Sequence, residues 1–84
     1  SIKRSVHEYM FMASSSNGDN AAAYRQMGLY YVNGFGVDKN EANTEKGMKL
    51  LAIATGLDDP IAKKCIDTNI CELDAPVEVK KTNE

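Results

Sequence analysis

Residues 29–37, Leu-Tyr-Tyr-Val-Asn-Gly-Phe-Gly-Val, constrain the fold more than any other stretch, because two glycines flank one aromatic immediately after a run with helical spacing. Glycine enters the left-handed backbone region without steric cost, so Gly34 and Gly36 end one helix and open a turn. Upstream, Ala23, Met27, Gly28 and Tyr31 set small and large apolar groups at helical intervals. Downstream, Gly47, Leu50, Leu51 and Ala54 repeat that arrangement on a second segment. Two such segments joined by a short turn predict an αα-hairpin. A helical hairpin of this kind rarely works alone, so its expected job is to present a surface.

At 84 residues the chain is one domain, and a core this small buries only about 60 to 65 per cent of the unfolded surface. Ten basic and twelve acidic residues, spread along the chain, leave a net charge of −2. No basic patch marks a nucleic-acid partner, and none is expected. An apolar content of 43% with two prolines argues against global disorder. No apolar run approaches the roughly 20 residues that cross a bilayer, so no membrane partner is expected.

Four helices can be drawn. Ile2, Val6, Tyr9 or Met10, and Ala13 share a face, predicting a first helix over about 2–15. Ser14 to Asn20 breaks it, with Gly18 suited to a left-handed helix end and Asp19 or Asn20 to capping the next helix, expected over about 20–33. A third helix is predicted from Thr44 to Thr55, capped by Asn43 or Asn40, with Gly56 placed to end it. Asp59-Pro60 is a restart signal, since aspartate caps free amides and proline is tolerated at the first helical position. The fourth helix carries Ala62, Cys65 or Ile66, and Ile70, and is expected to fade near residue 70. From Asp74 the chain is charged and lacks large apolar groups, predicting a mobile tail.

The segments Met12 to Met27 and Ala52 to Ile66 echo one another: small residues, a polar break, then alanine with a large apolar residue four further on. Aligning Ala23 on Ala62 gives a period of about 39 residues (62 − 23), inside the range of helical repeat arrays. In order and spacing, Ala23, Met27-Gly28, Tyr31 and Gly34-Phe35-Gly36-Val37 resemble the signature of the Sel1-like repeats, relatives of the tetratricopeptide repeats, with methionine where leucine is usual. Lys46-Gly47 and Ala54-Thr55 resemble degenerate second-helix positions. Ala62 resembles the start of a further unit in which Ile66-Asp67 replaces leucine-glycine, a departure that suits a terminal or capping unit.

The resemblance covers one complete unit, about residues 20–56, with half units on either side. It implies an all-α fold, an αα-superhelix fragment of about four antiparallel helices over residues 1–72, followed by a flexible tail over 73–84. It also implies an adaptor, of a kind often bacterial, that binds another protein. An immunity protein that neutralises a toxin or enzyme is the alternative within that class. A structural segment of a longer repeat array is an alternative of another class. Ser1 is not preceded by a visible signal peptide, so bacterial periplasm, secretion and cytoplasm all stay open.

Residues that carry chemistry are sparse. His7 is the only histidine, beside Glu8 and without a cysteine or serine placed to form a nucleophile pair, so a surface histidine and a non-enzymatic chain are expected. One histidine and two cysteines do not complete a four-ligand zinc site, and no cofactor or metal is expected. Gly34-Phe35-Gly36 is not followed by the lysine-serine or lysine-threonine pair of a phosphate loop, so the loop is structural. Cys65 and Cys71 lie six apart, on different faces of a continuous helix, and bridge only if the helix stops between them. Two thiols are the favoured expectation, with Cys65 as a small buried apolar group. Gly28 is expected to admit a neighbouring helix, and Tyr31 to lie inward with Ala23 and Met27. Tyr24, Arg25 and Tyr30, at the edge of that stripe, are the candidate partner-binding residues.

Overall fold

The computed structural model describes residues 4–15 and 19–73. It is all-α among these residues, with α1 at Val6–Ser15, α2 at Ala21–Asn33, α3 at Glu41–Gly56 and α4 at Pro60–Thr68. The expectations for Ile2, for Gly18 and for a tail from Asp74 fall outside the described residues.

Each helix begins where a side chain satisfies the free amides of its first turn. Helix α1 starts at Val6 and not near residue 2, because Ser5 and Glu8 form a reciprocal capping box. The Ser5 N–H donates to Glu8 Oε1 at 2.7 Å and the Glu8 N–H donates to Ser5 Oγ at 3.1 Å. Asn20 caps α2, accepting from the Ala23 N–H at 3.0 Å. Asn40, not Asn43, caps α3 by accepting from the Asn43 N–H at 2.8 Å, so that helix opens three residues before Thr44. Asp59 Oδ1 accepts from the amides of both Ile61 and Ala62 at 2.9 Å, and Pro60 opens α4.

The ends are equally legible. Gly34 closes α2 in the left-handed region at φ 71°, and Gly36 takes φ 75°. After Gly56 the left-handed residue is Asp58, at φ 69°. Helix α4 stops at Thr68, where Asn69 turns left-handed and donates its N–H to the Cys65 carbonyl at 2.8 Å.

Consecutive helices pack against one another, α1 on α2, α2 on α3 and α3 on α4, with α2 and α3 the most extensive pair. Helices α2 and α3 run antiparallel and nearly touch backbone to backbone. A Cβ added to Gly28 would lie 2.7 Å from Leu51 Cγ and 2.8 Å from the Gly47 carbonyl oxygen. One added to Gly47 would lie 2.7 Å from the Gly28 carbonyl oxygen. Two hydrogens facing each other at this crossing are what set the approach of the pair.

Three apolar groupings line the interfaces. Leu29, Leu51, Ala54, Ala62 and Cys65 join α2, α3 and α4; Val6, Tyr30 and Tyr31 join α1 and α2; Ala13, Ala23 and Met27 form the third. Each fully buried leucine contributes about 1.5–3 kcal/mol. Because α2 lies between α1 and α3, six consecutive residues from Gln26 to Tyr31 are buried, so its apolar surface runs around the helix and not along a single stripe. On α1, Tyr9 packs inward while Met10 is exposed; on α4 Cys65 faces the core while Ile66 faces solvent, as does Ile70 beyond the helix end.

The two cysteines are bridged, contrary to the expectation of two thiols. The physical reason is the helix end at Thr68: Asn69 reverses the chain and carries Cys71 back to Cys65. The Cys71 carbonyl accepts from Asn33 Nδ2 at 2.8 Å, and Leu73 packs against both the Leu29/Leu51 and the Val6/Tyr30/Tyr31 groups. Leu73, expected in the flexible segment, therefore packs with the helices.

Candidate binding cleft

The start of α1 and the glycine turn after α2 enclose an open cleft of about 460 Å³. Val6, Tyr30, Tyr31 and Val37 supply an apolar floor, and Met10 and Phe35 stand at its mouth. Met10 is 44% and Phe35 43% exposed, a large apolar surface to leave in water. The rings are fixed by one another: Tyr9 meets Tyr30 edge-on with centroids 5.6 Å apart, and Tyr30 meets Phe35 at 4.9 Å. Tyr30 also donates its hydroxyl hydrogen to the Arg4 carbonyl at 2.6 Å, tying the residues before α1 to α2. The left-handed conformations at Gly34 and Gly36 hold Phe35 at this rim.

The charges that line the cleft balance. Arg4, His7 and Glu8 line it, and Lys46 Nζ lies 4.9 Å from the centre of the Tyr31 ring. Glu8 is engaged by the Ser5 amide. The side chains of Arg4 and His7 make no ion pair with the described residues. No three of the described histidine, cysteine, aspartate and glutamate side chains gather closely enough to hold a metal ion.

The three partner-binding candidates do not form one exposed surface. Tyr30 is 1% exposed, so the expectation that it lies part-open at a stripe edge is corrected: α1 covers the side of α2 on which it sits. Arg25 pairs with Asp59 at 3.2 Å, linking α2 to the N-cap of α4, and only 16% of its side chain is exposed. Tyr24 is half-buried between the Leu29/Leu51 and Ala13/Ala23/Met27 groups. Ala23, Met27, Gly28, Tyr31, Ala54 and Ala62 are buried, and Val37 packs against Val6, Tyr30 and Tyr31. What the sequence pattern missed was Phe35 as a surface feature. Its signal was present, an aromatic held between two glycines that cannot continue a helix.

No protein-family model matches the chain, and no curated protein or solved structure is significantly similar to it. No helix among the described residues is long and apolar enough to cross a membrane.

Proposed function

We propose that the chain is a non-enzymatic protein-binding module, a Sel1-like αα-superhelix fragment that offers a preorganised helical surface to another protein. The observation that carries this reading is the open cleft with Met10 and Phe35 exposed at its mouth over a floor of tyrosine and valine. Exposed aromatic and methionine side chains beside a fixed concave floor are what protein interfaces enrich. Helices already held by caps, a disulfide and a close glycine crossing lose little entropy on docking.

Two further observations support the repeat character. The N-caps Asn20 and Asp59 stand 39 residues apart (59 − 20), the spacing at which Ala23 aligns on Ala62. Both are followed three residues later by a buried alanine. Crosslinking of the chain in its native setting, followed by identification of attached peptides, tests the proposal. A partner protein linked through α1 or the glycine turn is expected. Recovery of nothing above background would overturn the reading.

A further inference from the structure

We propose that the Cys65–Cys71 bridge is a redox-operated clasp, whose reduction by a dithiol frees the strap Cys71–Leu73 from α2 while α2, α3 and α4 stay folded.

The end of α4 does not depend on the bridge. The Asn69 N–H donates to the Cys65 carbonyl at 2.8 Å and the Ile70 N–H donates to Thr68 Oγ1 at 3.2 Å, so main chain and one hydroxyl set the turn out of the helix. Residues 70–73 have no regular secondary structure. Apart from the sulfurs, Asn33 and Leu73 hold this strap to the helices. Asn33 Nδ2 donates to the Cys71 carbonyl at 2.8 Å, and it also donates to the Leu29 carbonyl of its own helix at 2.8 Å. Releasing Cys71 therefore keeps the second bond and turns one N–H to water. The bridge spans a sequence separation of 6. A loop that short constrains the unfolded chain least, so the helices depend on it less than the strap does.

The two sulfurs differ in access. Cys65 is 2% exposed, in a group with Leu29, Leu51, Ala54 and Ala62, whereas Cys71 is half-buried between exposed Ile70 and Glu72. A thiolate attacks a disulfide in line with the bond, from the side opposite the sulfur that leaves. For Cys65 that side is the core, and for Cys71 it is the side away from the core. One thiolate of the reductant thus bonds to Cys71 Sγ, the bridge breaks, and Cys65 Sγ leaves with the electron pair and takes up a proton. The reductant's second thiolate then attacks its own sulfur in the mixed disulfide. Cys71 is released and protonated, and the reductant is oxidised to a disulfide. As a thiol, Cys65 fills the same space as a small apolar group, so α3 and α4 keep their packing.

Leu73 packs on the Leu29/Leu51 group and on the Val6/Tyr30/Tyr31 group at once. Its departure uncovers apolar surface beside Leu29 and Tyr31 on α2. Because Leu73 docks only while the bridge is closed, its packing also stabilises the oxidised form.

The test equilibrates the isotope-labelled full chain, without denaturant, in buffers of reduced and oxidised dithiothreitol. The reduced chain is expected to lose the nuclear Overhauser contacts from the Leu73 methyls to Leu29 and the Tyr31 ring, and to keep those between Gly28 and Leu51. Leu73→Ala is expected to shift the thiol–disulfide equilibrium toward the reduced form by about fivefold, a difference of about 1 kcal/mol. Ile70→Ala, at a position 63% exposed, is expected to leave that equilibrium unchanged. Brief exposure to glutathione, quenched by acid, is expected to leave the mixed disulfide on Cys71 by fragment mass spectrometry. Leu73 contacts that survive reduction, loss of the Gly28–Leu51 contacts together with them, or an equilibrium indifferent to Leu73→Ala would each overturn the clasp. A bridge that native dithiol does not open, or an adduct on Cys65, would do the same.

Discussion

Replacing Gly28 by alanine reverses the usual sign of a glycine-to-alanine change in a helix. In an open helix that substitution stabilises by about 1 kcal/mol, because alanine loses less backbone entropy. At Gly28 the new Cβ meets Leu51 Cγ at 2.7 Å and the Gly47 carbonyl oxygen at 2.8 Å. One obstacle is main chain and the other is the branch point of a buried side chain, so neither swings aside. To reach the 3.4 Å at which ordinary contact begins, α2 and α3 must part by about 0.7 Å (3.4 − 2.7). A gap of that size forfeits roughly a quarter to a half of the dispersion attraction across the contacts it opens. Overpacking of this kind costs about 1–3 kcal/mol. With two contacts under 3.0 Å the cost falls in the upper part of that range, about 2–3 kcal/mol, so that after the propensity gain the net loss is about 1–2 kcal/mol and the melting temperature falls by roughly 5–15 °C. Gly56 is the internal control, since it too is helical but a Cβ there meets nothing within 4 Å. Gly56→Ala is expected to raise stability by about 0.5–1 kcal/mol. Thermal melts followed by far-ultraviolet circular dichroism, with urea titrations alongside, read both variants. A Gly28→Ala protein as stable as the parent would refute the close crossing. The Gly28→Ala/Gly47→Ala pair is expected to cost less than the sum of its parts, because the first change already separates the helices.

Other substitutions probe the remaining ties. Breaking the Cys65–Cys71 bridge, by a dithiol reductant or by Cys65→Ser/Cys71→Ser, is expected to cost about 2 kcal/mol for so short a loop and to release the amides of Cys71 to Leu73 to hydrogen exchange; unchanged melting on reduction would refute this. Asp59→Ala removes both the α4 cap and the partner of Arg25, for an expected loss of about 2–3 kcal/mol. Asp59→Asn keeps the cap and is expected to lose less; equal losses would show that the cap contributes nothing, and no loss in Asp59→Asn that the ion pair contributes nothing. Gly34→Ala places a Cβ 2.5 Å from Lys39 Cβ at φ 71°, whereas Gly36→Ala meets open space at φ 75°. Chemical denaturation is therefore expected to show a larger loss at Gly34 than the about 1–2 kcal/mol of backbone strain common to both.

The helices were legible in the sequence wherever a local signal set them. Asn20, Asp59, Pro60, Gly34 and Gly56 each announce a start or stop through chemistry within a few residues. The Ser5–Glu8 capping box was equally local, but the apolar spacing of Ile2 and Val6 drew the predicted helix past it. Pattern alone did not show Leu29 and Tyr30 as buried, because a stripe argument assumes one partner per helix and α2 has two. The same cause misplaced Tyr30 as a surface candidate. The disulfide depended on where α4 stops, and Asn69 decides that by taking a left-handed conformation no spacing rule foresees. The cleft was the least legible feature, since Arg4, Val6, Tyr31 and Phe35 come together only after α1 has packed on α2.

The crossing of α2 over α3 at Gly28 and Gly47 sets the approach of the most extensively packed pair of helices. Nuclear Overhauser contacts from the Gly28 α-protons, in the disulfide-intact protein, measure it directly. Strong cross-peaks to the Gly47 α-protons and the Leu51 methyls are predicted. Their absence, with both helices present by chemical shift, would contradict the close glycine crossing and with it the packing of α3 on α2.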